Sequence, residues 1–218
     1  MTRTLPLSDL IAPLVSAETR GDLGVRITGL SDDSRRVERG HLFVAVKGEH
    51  VDGHDYVPKA IAAGAAGVVV QRSWAGGGTA TGPGDVPLVR VADTRQALGL
   101  LASRFHGHPS ARLRMVGVTG TNGKTTVTYL CRAVLEAGGR RVGVIGTIAY
   151  LLGAERLPAP HTTPGAIDLQ RLLARMAEAG LDAVVMEVSS HALALDRVVG
   201  CEFDVAVFTN LTRDHMDF

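Results

Sequence analysis

Residues Met115 to Val127 read M-V-G-V-T-G-T-N-G-K-T-T-V, an apolar run that breaks into glycines and re-emerges with helical spacing. Small residues there present backbone N–H groups, and a helix N-terminus and one lysine complete an anion site of the kind that cradles a nucleotide triphosphate. The loop residues would be Gly120, Thr121, Asn122 and Gly123, with Lys124 on the phosphates and Thr125, followed by Thr126, on the side of a Mg²⁺ ion. The strict pattern G-x-x-x-x-G-K-[ST] would need glycine at 118, where this chain has Val118. The match is to the variant G-x-x-G-x-x-G-K-T-T, counted from Gly117. Taken alone, such a stretch is a glycine-rich strand-to-helix turn with a solvated lysine. Its surroundings favour the nucleotide site, because a strand-like run over Arg112–Val118 precedes it and Val127, Leu130, Cys131, Val134 and Leu135 follow at helical spacing up to Gly138-Gly139.

Working outward, the second half predicts a series of α/β units: a strand over Arg141–Ile148, a loop carrying H-T-T-P-G at His161–Gly165, and a helix with Thr163 as cap and Pro164 at its first position. That helix presents Leu169, Leu172, Leu173 and Met176 on one face. A near-continuous apolar strand follows and ends in Glu187, Ser189, Ser190 and His191; the last strand spans Asp204–Asn210. Strands without polar interruption predict a doubly wound, mostly parallel sheet covered on both faces, with ligands beyond the carboxyl ends of its strands. The cradle, Glu187 and the Asn210–Asp217 stretch then share one edge. A carboxylate and a histidine there, Glu187 and His215, suit Mg²⁺ beside a triphosphate. A zinc hydrolase built on His191, His215 and Glu187 is the competing reading, without metal-ligand spacing behind it.

The first half predicts a smaller α/β domain. It contains a short helix near Leu7, Leu10, Ile11 and Leu14 with Ser8 as its cap, strands over Val25–Leu30, His41–Val46 and Gly67–Val70, and a helix over Pro58–Ala63. Between the first strands lies S-D-D-S-R-R-V, Ser31–Val37, a solvated turn when read alone. Ala75–Asp85 lacks periodicity and predicts a loop; a helix then runs from Asp93 or Thr94 to Phe105. H-G-H-P-S, His106–Ser110, marks the joint, so the expected organisation is residues 1–106, a linker at 107–111 and a second domain over 112–218.

The whole chain of 218 residues carries a formal net charge of +1, with 45% hydrophobic and 21% charged residues. That balance gives no reason to expect nucleic acid or an anionic membrane as partner. Cys131 and Cys201 are too few for a disulfide framework, and Cys131 reads as a buried small hydrophobe. No stretch is long enough to span a bilayer and the start lacks a signal-peptide pattern, so a cytoplasmic location is the expectation; a monomer is the expected state.

Four stretches in order, V-G-V-T-G-T-N-G-K-T-T, H-T-T-P, M-E-V-S-S-H-A-L and F-T-N-L-T-R-D-H-M-D, resemble the Mur ligase family of peptidoglycan synthesis. D-S-R-R-V with the later D-G-H resembles that family's UDP-binding N-terminal domain. The resemblance turns Ser31–Val37 from a bland turn into an expected uridine contact. It implies ATP-dependent amide formation: the γ-phosphoryl group activates the terminal carboxylate of UDP-MurNAc-L-Ala-D-Glu, and a diamino acid, meso-diaminopimelate or lysine, displaces phosphate. By position it implies Gly120 to Thr126 on ATP, Lys124, Glu187 and His215 as catalytic, and Thr125, Glu187 and His215 on the metal. Ser34, Thr162, Thr163, Ser189 and Arg197 would contact the UDP-sugar peptide. Leu195 and His161 depart from the family pattern, where glutamine and asparagine are common. The resemblance further implies that a metal-binding carbamylated lysine, the rest of the nucleotide-binding sheet and a C-terminal domain lie beyond Phe218, so that the chain alone is a poorly soluble fragment with little ligase activity. A nucleotide or UDP-sugar binding module without turnover, another Mur-type ligase, and a generic P-loop ATPase or kinase are the alternatives.

Overall fold

The computed structural model describes residues 3–48, 51–76 and 85–212. The chain divides into two compact units, Met1–Phe105 and His106–Phe218.

In the first unit β1 (Leu5–Pro6) pairs antiparallel with β3 (Arg26–Ile27). A five-stranded sheet in the order β2-β7-β6-β5-β4 contains β2 (Glu18–Arg20), β4 (Gly29–Ser31), β5 (His41–Val44), β6 (Gly67–Gln71) and β7 (Leu88–Val91). All its pairings are parallel except β2 with β7. The expected single strand over Val25–Leu30 is thus two, β3 and β4, serving different sheets. Helix α1 (Leu7–Ile11) buries Leu7, Leu10 and Ile11, but Ser8 lies inside it and Pro6 precedes it without a side-chain cap. Helix α2 (Val57–Ala62) carries proline in its first turn, and α3 (Thr94–Phe105) is capped by Asp93, whose Oδ1 accepts from the N–H groups of Arg95 at 2.8 Å and Gln96 at 3.2 Å. Phe43, Val57, Ala60, Val68 and Val70 make one core of this unit. Of the expected loop at Ala75–Asp85, residues 77–84 lie outside the described ones.

The two units part between Phe105 and His106, next to the expected joint at 107–111. Pro109–Arg112 forms a 3-10 turn, Pro109 and Ser110 are buried, and Ser110 Oγ accepts from the N–H of Glu202 at 3.1 Å, which ties the stretch into the second unit. The proline and glycine that suggest a joint in sequence make a packed turn once Ser110 has a partner 92 residues away.

The second unit is a six-stranded sheet in the order β11-β10-β9-β12-β8-β13. Its strands are β8 (Arg114–Thr119), β9 (Val142–Ile145), β10 (Tyr150–Leu152), β11 (Glu155–Leu157), β12 (Ala183–Glu187) and β13 (Val205–Phe208). β9, β12, β8 and β13 run parallel. The hairpin β10–β11 adds an antiparallel margin at one side, in a stretch that reads as loop in sequence, with Gly153 at a φ of +66° in its turn. Helix α4 (Lys124–Ala137) follows β8, α5 (Ala166–Glu178) precedes β12, and the short α6 (Ser190–Ala194) follows it.

Strand parity explains which residues meet which helix. In β12, Val184 and Met186 join a cluster with Met115, Ile145, Leu169, Leu173 and Met176 on the α5 side. Ala183 and Val185 join Val118, Val142, Val127, Cys131 and Leu135 on the α4 side. Each fully buried leucine such as Leu169 or Leu173 contributes about 1.5–3 kcal/mol. Because side chains alternate along a strand, Glu187 falls on the α4 side with Ala183 and Val185.

Three details depart from the sequence reading. The stripe of α4 that packs on the sheet is Val127, Cys131 and Leu135, each half-buried, while Leu130 and Val134 are exposed. The covering of the sheet gives out at β13, where Val205 and Phe208 are 49% and 62% exposed, while β10 near the opposite margin stays buried. Thr163 does not cap α5; Gly165 precedes that helix without a side-chain cap.

Candidate nucleotide and acyl-substrate site

The parallel strands β9, β12, β8 and β13 end on one edge, with Glu187 opposite Val118 and Phe208 opposite Thr119 in register. The loop after β8 crosses this edge. Gly120 has a φ of +126° and Gly123 a φ of +84°, and Gly123 stands at the N-terminus of α4 without a side-chain cap. First-turn N–H groups of α4 have no carbonyl behind them in the helix, which makes that end attractive to an anion. Lys124 folds back over the loop, and its Nζ donates to the carbonyls of Gly120 at 2.6 Å and Thr121 at 3.0 Å.

The end of β13 staples the loop in place. The N–H of Thr121 donates to the carbonyl of Asn210 at 3.0 Å, the N–H of Asn122 to Asn210 Oδ1 at 3.1 Å, and Asn210 Nδ2 to the carbonyl of Asn122 at 3.1 Å. Thr209 Oγ1 donates to the carbonyl of Asn122 at 2.7 Å. A Cβ on Gly120 would lie 2.2 Å from that Thr209 oxygen, so this glycine answers both a positive φ and a close approach.

Glu187 is 1% exposed, and every donor around its carboxylate is a hydroxyl or an amide. Thr125 Oγ1 donates to Oε2 at 3.0 Å, Thr147 Oγ1 to Oε2 at 3.0 Å, and the N–H of Thr147 to Oε1 at 3.1 Å. Hydroxyl and carboxylate oxygens are hard ligands, and Mg²⁺ commonly takes one or two carboxylates with phosphate and water completing its shell. Thr125 and Glu187 therefore fit a Mg²⁺ ion by donor chemistry. Among the described residues no group of three or more His, Cys, Asp and Glu side chains is placed to hold a metal. His215, with Asp214 and Asp217, lies outside the described residues.

The H-T-T-P loop packs against Thr147 and the main chain of Glu187. Thr162 Oγ1 lies 3.0 Å from Thr147 Oγ1. Thr163 is buried; its hydroxyl donates to the carbonyl of Glu187 at 2.9 Å and accepts from the N–H of Ser189 at 3.1 Å. Arg197 donates to the carbonyl of Thr163 at 3.1 Å. Tyr150, buried in the hairpin that the sequence does not reveal, donates through its hydroxyl to the carbonyl of His161 at 2.5 Å, and burial pushes that phenol above its ordinary pKa. Ser189 caps α6 by accepting from the N–H of Ala192 at 3.2 Å.

These elements enclose a cavity of about 280 Å³ lined by Thr121 to Thr126, Thr147, Thr162, Glu187 and Ser189. Of the expected site residues it gathers the cradle, Thr125, Glu187, Thr162 and Ser189. Thr163 and Arg197 lie behind it as supports. Ser34 is buried in the first unit, beside the exposed pair in which Asp33 holds Arg35 at 2.8 Å. Sequence reasoning missed Thr147, Gly146, Thr209 and Tyr150. Thr147 had one signal, a G-T pair at the carboxyl end of a strand, hidden because the strand reads on to Ile148 and stops at Ile145.

Comparison with known proteins finds one family along both units. A family model described as the Mur ligase middle domain matches residues 118–218, and one described as the Mur ligase family catalytic domain matches residues 26–106. A UDP-N-acetylmuramoyl-L-alanyl-D-glutamate–2,6-diaminopimelate ligase of Geobacter metallireducens is 47% identical over 212 residues, which is 97% of this chain and 40% of the relative. A solved structure of a ligase of that same name superposes with a TM-score of 0.78 at 30% identity, covering 98% of this chain and 42% of that one. The MurF ligase of Thermotoga maritima in complex with ADP shares the fold, with a TM-score of 0.51 at 24% identity over 83% of this chain and 37% of that one. The chain spans about 40% of the length of the curated relatives it matches. Among the described residues no helix is long and apolar enough to cross a membrane.

Proposed function

The chain belongs to the Mur ligase family, and we propose that it serves ATP-dependent amide formation in peptidoglycan synthesis, adding 2,6-diaminopimelate to UDP-MurNAc-L-Ala-D-Glu through an acyl phosphate. The observation that carries this reading is the single cavity in which the phosphate cradle, the Glu187 carboxylate and the hydroxyls of Thr162 and Ser189 face one another. The choice of diaminopimelate over lysine rests on the names of the relatives.

In this reading the loop amides and Lys124 take the nucleotide phosphates, with Lys124 exchanging its two loop carbonyls for phosphate oxygens. Thr125 and Glu187, with His215, hold Mg²⁺, which when bound offsets charge on the transferring phosphoryl group. Thr162 and Ser189 hold the acyl substrate in line with the cradle, and Thr163 and Arg197 fix the loop that carries Thr162. Ser34 and its neighbours in the first unit take the uridine end. A nucleotide-linked, water-soluble substrate places the reaction in the cytoplasm.

Calorimetric titration of the chain with ADP and Mg²⁺, and separately with UDP-MurNAc-L-Ala-D-Glu, tests the proposal. Both ligands are expected to bind, the first in a manner that Lys124→Ala removes. Uptake of ADP with none of the muramyl dipeptide would instead support a generic P-loop protein.

A further inference from the structure

We propose that Thr147 is a positioning residue that sets the Glu187 carboxylate and the Thr162 hydroxyl together, so that the cation side and the acyl-substrate side of the cavity are aligned by one side chain. The proposal rests on the functional reading above and goes beyond it to a residue in the turn after β9.

The hydrogen bonds themselves give the direction. An ionised carboxylate only accepts, so Thr147 donates its one hydroxyl proton to Glu187 Oε2 at 3.0 Å, and its N–H donates to Oε1 at 3.1 Å. Both carboxylate oxygens are therefore fixed from one residue. With its proton committed, Thr147 Oγ1 can only accept from Thr162 at 3.0 Å. The chain of protons runs Thr162 to Thr147 to Glu187. Thr162 consequently offers only lone pairs to the cavity, and it would take an N–H or O–H of the ligand rather than a carboxylate or phosphate oxygen.

Space gives an independent reason. A Cβ on Gly146 would meet Glu187 Oε1 at 2.3 Å, so glycine there lets the turn approach the carboxylate closely enough for the Thr147 N–H to reach it. Main-chain and side-chain features of neighbouring residues thus serve the same carboxylate. The other end of Glu187 is held by Thr163, which donates to its carbonyl at 2.9 Å. Ligands to a metal are commonly oriented by such outer partners, whose loss weakens metal affinity by about 10–100-fold.

The test measures ADP affinity by calorimetry with and without Mg²⁺ for the native chain, Thr147→Val, Thr147→Ser and Gly146→Ala, each checked for a cooperative thermal transition. Thr147→Val is expected to cut the Mg²⁺-dependent gain in ADP affinity roughly tenfold or more, and Thr147→Ser to retain most of it. Gly146→Ala, which leaves the Thr147 hydroxyl in place but moves the carboxylate, is expected to follow Thr147→Val. A folded Thr147→Val chain with the native Mg²⁺ gain overturns this proposal alone, as does a Thr147→Ser chain no better than Thr147→Val. A native chain that binds ADP with no Mg²⁺ effect, or binds no ADP, overturns the cation or nucleotide reading and this proposal with it.

Discussion

The hydroxyl of Thr125, in the first turn of α4, donates to Oε2 of Glu187, the last residue of β12, across 3.0 Å and 62 positions of sequence. That bond joins the head of the phosphate cradle to the carboxylate in the middle of the sheet edge. Glu187→Gln keeps the size of the side chain but turns one acceptor into a donor facing hydroxyls that already donate. We expect it to weaken Mg²⁺-dependent nucleotide binding at least tenfold and to destabilise the second unit by about 1–3 kcal/mol through the mismatched donors. Calorimetry and denaturant unfolding read the two effects separately, and an unchanged Mg²⁺ dependence would remove Glu187 from the cation site.

Two glycines of the cradle should behave differently. Gly120→Ala forces a Cβ to within 2.2 Å of Thr209 Oγ1 at a φ of +126°, so it should break the staple from β13 and lower stability as well as nucleotide affinity. Gly123→Ala meets nothing within 4 Å and carries only the conformational cost of its φ of +84°, about 1 kcal/mol. Paired unfolding curves check the order; equal losses would contradict the close approach of Gly120 to Thr209.

Acid should act on the first unit at a defined place. The Arg35 guanidinium holds the Asp33 carboxyl down to about 2 from the ordinary 3.8. A depressed folded pKa contributes stability that is complete above 3.8 and is lost as pH falls towards about 2. The Arg35 partner is largely exposed, so solvent screening keeps the contribution small. Melting temperatures across that window should fall less steeply for Asp33→Asn than for the native chain, and parallel slopes would show that the pair contributes nothing.

Burial pushes the thiol of Cys201 up to about 12, and Gln170 Nε2 donates to its sulfur at 3.2 Å. Thiolate is the reactive form, so Cys201 should resist alkylation in the folded chain at neutral pH and react once the chain is unfolded. Mass spectrometry of iodoacetamide-treated protein reads this directly. Rapid labelling of native Cys201 would mean that its surroundings open far more readily than its packing implies.

Much of this was legible in the residues because it depends on local order. The phosphate cradle follows from G-T-N-G-K-T-T between a strand and a helix, since positive φ, free N–H groups and a lysine need only neighbours in sequence. The apolar run A-V-V-M-E places Glu187 at the end of its strand, although the helix that covers its face is visible only in the packing of Ala183 and Val185. Other features were not legible, because each depends on a partner distant in sequence. H-G-H-P-S lies where the two units part but does not reveal that Ser110 meets Glu202, and Thr163 looks like a helix cap until its hydroxyl meets the carbonyl of Glu187. Leu130 and Val134 fit a helical stripe equally well whether the neighbouring strand covers them or not.

The sequence by itself therefore determined a parallel α/β chain with a nucleotide cradle and a carboxylate at the same sheet edge, because strand period, helix period and glycine placement are properties of short stretches. Only the tertiary structure decided how that carboxylate is held. Placing Gly146 and Thr147 against Glu187 requires the strand order β9-β12-β8, which sets side by side two strand ends 40 residues apart, and no periodicity within either strand carries that information.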